Sequence, residues 1–230
     1  MKTVNSIIAL ALMAATSTMV QAESIDVKVI GTIAPVACTP TISGGGIIDY
    51  GNIPTNTLSA TDYTLLAEKQ LDFAITCEAP VKLALKATNG RPGTLAGVTE
   101  SASGFGNAPL KGFFGSTGSV GVAGLGLSSE KKIGGYGLRI DAASSTADGK
   151  KVDTIQRISG GRWANTQLGS VMAISDRELT WAEVGTITPV SFTNMTGKLG
   201  VQAYINKTSE LDLTQPIDLD GLSTLELVYL

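Results

Sequence analysis

Apolar residues recur at every second position along much of this chain, and a period of two suits strands rather than helices. Ile25, Val27 and Val29 share one face with Asp26 and Lys28 on the other, and Gly31 and Ile33 continue the register. Leu71, Phe73 and Ile75 alternate with Asp72, Ala74 and Thr76 as far as Cys77, and Val81, Leu83 and Leu85 alternate with Lys82 and Lys86. Leu199, Val201, Ala203 and Ile205 repeat the pattern, and Leu225, Leu227 and Tyr229 close the chain. Such runs read as half-buried strands. Turn signals separate them at Ser43-Gly44-Gly45-Gly46, Asn89-Gly90, Asp148-Gly149 and Ser159-Gly160-Gly161. No sustained amphipathic helix is visible, and residues 60–70 offer at most one short helical turn. The Gly- and Ser-rich stretch from Asn89 to about Gly126 reads as a loop. A structureless loop of that length is unusual inside a domain, so one or two short strands are expected within it. The whole is expected to be all-β, one antiparallel sandwich of about seven or more strands.

Composition removes much of the catalytic menu. The chain has 230 residues and no His, so imidazole-based triads and H-E-x-x-H zinc sites are impossible. Its two cysteines cannot build a four-cysteine zinc site or hold an iron–sulfur cluster. With 17 basic against 20 acidic residues it lacks the basic balance of a nucleic-acid binder.

The first 22 residues have the form of a secretory signal peptide: Lys2, an apolar run from Ile7 to Ala15, and a small residue at Ala22. The run is too short for a membrane span, which needs about 20 apolar residues. The mature chain is expected to start at Glu23, with no later membrane insertion. Export to an oxidising compartment favours pairing Cys38 with Cys77.

The ends of the mature chain resemble a known family. Val29-Ile30-Gly31-Thr32-Ile33-Ala34-Pro35-Val36-Ala37-Cys38 is similar to the first-strand signature of chaperone–usher pilins, with Gly seven residues before Cys. The second Cys closes the strand Leu71 to Cys77, as in those pilins. Ile48-Asp49-Tyr50-Gly51-Asn52-Ile53 resembles the short segment between the two, and the penultimate Tyr229 matches the pilin C-terminus. The likeness is nearest to uncharacterised Gram-negative fimbrial-like periplasmic proteins. It covers roughly residues 25–85 and 198–230.

That resemblance implies an immunoglobulin-like sandwich lacking its last strand. Residues 1–22 would be the signal peptide, 23–30 an N-terminal extension acting as donor strand, and 31–230 the sandwich domain. The donor side chains would be Ile25, Val27 and Val29, with Gly31 following. The acceptor or chaperone edge would be Leu225, Leu227 and Tyr229. Implied partners are a periplasmic chaperone, an outer-membrane usher and neighbouring fimbrial subunits, with no cofactor, no metal and no enzymatic activity. The outcome would be a fimbria at the cell surface that supports adhesion. A second reading is a self-complete periplasmic binding or accessory protein, in which the short segment Ile25–Val29 pairs within its own sheet.

Other patterns favour bland readings. Ser128-Ser129-Glu130-Lys131 fits Ser-x-x-Lys but lacks the helix and companion motifs that acyl transfer requires. Gly121 to Gly126 lacks the strand–turn–helix setting of a dinucleotide site and reads as a flexible hairpin. Asp218 and Asp220 lack the further ligands of a calcium loop and read as a solvated strand face. Asp176 and Glu178 read as surface charge, and Trp163 and Trp181 as packing. Lys131-Lys132 and Lys150-Lys151 read as solvated loop charges.

Overall fold

The computed structural model describes residues 24–33, 36–166 and 168–230. The expected signal peptide and the start at Glu23 lie outside the described residues. Two units are distinguished, one ending at Pro35 and one from Val36 to Leu230. In the first, residues 24–33 contain no strand, and Ile25, Val27, Val29, Ile30 and Ile33 are all at least 84% exposed. The expectation of a half-buried strand there is corrected: alternation is present, but no burial accompanies it.

The second unit is all-β. Its first strands are β1 (Cys38–Ile42), β2 (Thr64–Leu65), β3 (Lys69–Val81), β4 (Leu83–Asn89) and β5 (Gly106–Asn107). β6 (Gly121–Gly124), β7 (Leu127–Ser128), β8 (Lys131–Lys132), β9 (Gly134–Ile140) and β10 (Thr146–Ala147) follow. β11 (Lys150–Ile158), β12 (Ala164–Asn165), β13 (Arg177–Glu183), β14 (Phe192–Ile205) and β15 (Ser223–Tyr229) complete it. Residues 60–70 hold β2 and the start of β3, with no helical turn. The glycine-rich stretch does contain two short strands, β5 and β6. β6 is buried along its whole length, so the flexible hairpin expected there is a packed strand instead.

Two sheets pack face to face in a sandwich-like arrangement. One is centred on β14, which pairs with β3 and β9; β1 lies beyond β3, and β6 then β5 beyond β9. The other runs β15–β4–β13–β11, with β12 alongside β11. β10 pairs with both β11 and β14 and so links the sheets. All these pairings are antiparallel, so inward and outward residues alternate cleanly along each strand. Trp181 on β13, fully buried, stacks 6.5 Å from Phe73 on β3 and meets Phe192 on β14 edge-on at 5.6 Å. One indole thus ties the second sheet to two strands of the first.

From Leu199 onward β14 is buried on both faces. Leu199, Val201, Ala203 and Ile205 face the sandwich core, whereas Tyr204 belongs to a second cluster with Leu95, Phe113, Val120 and Val122. Its hydroxyl donates to the Ala96 carbonyl at 2.6 Å. The glycine-rich segment therefore supplies an extra layer. Close approach explains part of its composition: a Cβ on Gly121 would fall on the Met172 carbonyl. Asp148 and Gly149 both have positive φ in the two-residue turn joining β10 to β11, as a type I′ hairpin demands. Among the described residues no helix is long and apolar enough to cross a membrane.

Cys38 and Cys77 sit directly opposite each other on β1 and β3 and are joined in a disulfide, closing a separation of 39 residues. A loop of that size corresponds to about 4 kcal/mol in the chain-entropy account. Replacing both cysteines by Ala should lower the urea-unfolding free energy by about that amount.

Candidate functional site

The most distinctive site is an open groove where the two sheets part. β15 pairs with β4 in continuous register, Ser223 with Asn89 through Tyr229 with Leu83. Its other edge meets no strand among the described residues. β1 likewise pairs only with β3. Burial shows what is missing between them. Leu85 is 1% exposed, yet its cross-strand partner Leu227 is only half-buried, and Tyr229 beside the sealed Leu83 is 49% exposed. Inward-facing residues at this seam have a floor and one wall but no cover.

The seam holds a cavity of about 690 Å³ whose walls are Pro40–Ile42 with Gly45–Ile48 on one side, and Leu219 with Gly221–Ser223 and Leu225 on the other. Its floor is apolar: Leu71 and Phe73 from β3, Leu138 from β9, Leu199 and Val201 from β14. A second cavity of about 670 Å³, between residues 48–58 and 211–219, shares Ile48, Tyr50 and Leu219 with the first. The two form one long slot. Its walls run in opposite directions, because the first cavity pairs low numbers of one wall with high numbers of the other.

Few polar groups intrude on the first cavity, whereas Asp49, Asn52, Thr55, Thr214, Gln215 and Asp218 line the second. Tyr136 shares a hydrogen bond with Ser223 Oγ at 2.6 Å, and burial pushes its phenol up to about 12. Tyr50 donates to the Val201 carbonyl at 3.3 Å and is likewise pushed up to about 12 by burial. Both phenols are therefore neutral hydrogen-bonding groups at neutral pH. Gly221 is required by the Tyr136 ring, since an added Cβ would lie 2.8 Å from Cε1. The wall leading into β15 is braced by Arg91, whose Nε and Nη2 grip both oxygens of Asp220 at 2.8 and 2.7 Å. Among the described residues the slot lining brings together no nucleophile–base pair. Among the described residues no group of three metal-binding side chains exists.

The structure places Leu225, Leu227 and Tyr229 along the open edge, where the sequence reading put an acceptor. Ile25, Val27, Val29 and Gly31 lie in the exposed N-terminal segment. The opposite wall, Ile42 to Leu58, and the stretch from Leu211 to Gly221 were not read as a site from residue pattern. The alternations Ile48/Tyr50 and Ile217/Leu219 were the available signals.

The other patterns resolve into structure. Ser129 and Glu130 form the positive-φ turn between β7 and β8, with no helix start at Ser128. Asp218 and Asp220 precede β15 and are not on a strand face, a correction caused by the Arg91 clamp and the close approach at Gly221. Asp176 pairs with Lys86 at 2.7 Å and Glu178 with Arg157 at 2.5 Å, while Arg157 also lies 4.7 Å over the Trp163 ring.

Residues 27–137 match a family described as "Protein of unknown function (DUF1120)". The chain is 29% identical over 221 residues to the uncharacterized protein YhcF of Escherichia coli K12, covering 90% of each. It is 28% identical over 236 residues to Protein GltF of the same organism, covering 89% of this chain and 88% of that protein. No solved structure matches the chain.

The Arg91 guanidinium holds the Asp220 carboxyl below its ordinary value. A lowered carboxylate pKa contributes stability above the unfolded value, near 3.9, and loses it as pH falls through the folded value. The melting-temperature gap between wild type and Asp220→Asn should therefore be steady from about pH 5 to 8 and close in acid, as pH falls through the lowered folded value.

Proposed function

We propose that the protein is exported to the periplasm and acts as a structural subunit of a chaperone–usher fimbria, assembled by strand exchange and supporting adhesion. The observation that carries this reading is the unpaired edge of β15 above an apolar slot, in a chain that also carries an exposed, alternating apolar segment at 24–33. The strand order supports it too. The order β1–β3–β14–β9 against β15–β4 is the one an immunoglobulin-like sandwich left open beside β15 would have. An uncovered edge of this kind invites strand addition by another chain. A periplasmic chaperone would cover it first, and the N-terminal segment of a neighbouring subunit would replace the chaperone at the usher. The leader-like first 22 residues and the Cys38–Cys77 disulfide support an oxidising periplasmic setting.

Each donor side chain buried would contribute roughly 1.5–3 kcal/mol, so Ile25, Val27 and Val29 together would raise the melting temperature by about 10 °C or more. The test is thermal unfolding of the unit from Val36 onward, with and without a peptide of residues 24–33. A shift of that size supports the subunit reading, and a peptide carrying Val27→Asp and Val29→Asp should give none. Indifference of a stable Val36–Leu230 unit to the peptide would favour a self-complete periplasmic accessory protein.

A further inference from the structure

Strand addition leaves the second cavity without a role. The edges that another strand could extend are β15 and β1, and neither contributes a residue to its lining. Its walls are non-strand chain from residues 48–58 and 211–219. Its volume of about 670 Å³ lies within the range of roughly 300–1,000 Å³ usual for small-molecule sites.

The distribution of polarity in it limits the ligand. Ile133 and Ile205, only 1% and 3% exposed, give it a sealed aliphatic base, and the half-buried Ile53, Leu211, Ile217 and Leu219 surround them. The Tyr50 hydroxyl is already spent on the Val201 carbonyl at 3.3 Å. A polyol seated against this base would bury hydroxyls without partners, which is costly. The part of a ligand that enters is therefore apolar.

Charge limits the other end. Asp49 and Asp218 are the only charged residues lining either cavity; both are exposed, and they come from opposite walls. Among the described residues neither carboxylate is in an ion pair, whereas Asp220, two positions beyond Asp218, is neutralised by Arg91. Asp49 Oδ1 accepts from the Gly51 N–H at 2.6 Å. Lys69 reaches the same wall, but its ammonium meets the Asp49 carbonyl at 2.5 Å and lies 5.3 Å over the Tyr50 ring. An anionic head group would face two like charges at this mouth, and a cationic one two opposite charges. Two carboxylates are too few to cage a calcium ion, which takes six to eight oxygens.

We propose that the second cavity binds a short-chain amphiphilic amine, with its aliphatic chain on Ile133 and Ile205 and its ammonium between Asp49 and Asp218. This is a ligand site of its own and does not rest on strand exchange. Burial of the chain supplies most of the affinity, and the two carboxylates select the head group.

The test is calorimetric titration of the mature chain at pH 7 with octylammonium, octanol and octanoate, each below the concentration at which it aggregates. Octylammonium should bind tightest and octanoate roughly tenfold more weakly, with most of that preference lost in 1 M salt. Asp49→Asn and Asp218→Asn should each weaken octylammonium about two- to fivefold and leave octanol unchanged. Ile217→Arg, which brings a cation into the apolar mouth, should abolish octylammonium binding. The two Asn variants alter exposed side chains and decide the matter even if Ile217→Arg does not fold. Equal binding of octylammonium and octanoate overturns the proposal, as does octylammonium affinity indifferent to both Asn variants. Binding that survives in a folded Ile217→Arg chain also overturns it, because the ligand then lies elsewhere. A wild-type chain that binds no octylammonium rejects the site outright, while the response to a 24–33 peptide reports separately on strand acceptance.

Discussion

The structure turns on two packed sheets whose apolar inner faces are poorly covered along the seam between β1 and β15. A buried apolar side chain needs cover on all sides, and β4 shows what complete cover looks like: Leu83, Leu85 and Ala87 are almost wholly sealed. One strand further out, Leu225 and Leu227 have the same inward direction and only partial burial. The residues around the seam are arranged so that its walls hold without a filling strand. The disulfide fixes β1 to β3 on one wall, and the Arg91–Asp220 clamp fixes the approach to β15 on the other.

The extra layer over β14 bears on the same problem. A sheet with one uncovered edge would flex if its outer face were only solvated. Here Tyr204, Phe113 and Leu95 form a second apolar cluster on that face, and Arg139 bonds Glu68 bidentately at 3.0 and 2.9 Å across its border. β14 is therefore clamped from both sides. Its core-facing residues Leu199 and Val201 floor the slot. The glycines permit the close backbone approaches on which this layer depends.

Much of the fold was legible because alternation and turn chemistry are local. The runs ending at Cys77, Ile205 and Tyr229 all became strands, and Asp148-Gly149 became the turn its residues specify. Two kinds of feature were not legible. Burial of a strand on both faces, as at Gly121–Gly124, depends on which distant segment lies over it, and a run of small residues reads the same whether packed or solvated. Ion pairing between residues far apart in sequence, such as Arg91 with Asp220, leaves no spacing signal, so Asp220 looked like ordinary surface charge. The site was half legible. Alternation marked Leu225, Leu227 and Tyr229 as a strand and only the pilin resemblance suggested an open edge there, while the opposite wall is irregular chain from Gly45 to Leu58 that carries no strong period. The N-terminal segment shows the reverse limit: Ile25, Val27 and Val29 have a strand's pattern without a strand's partner.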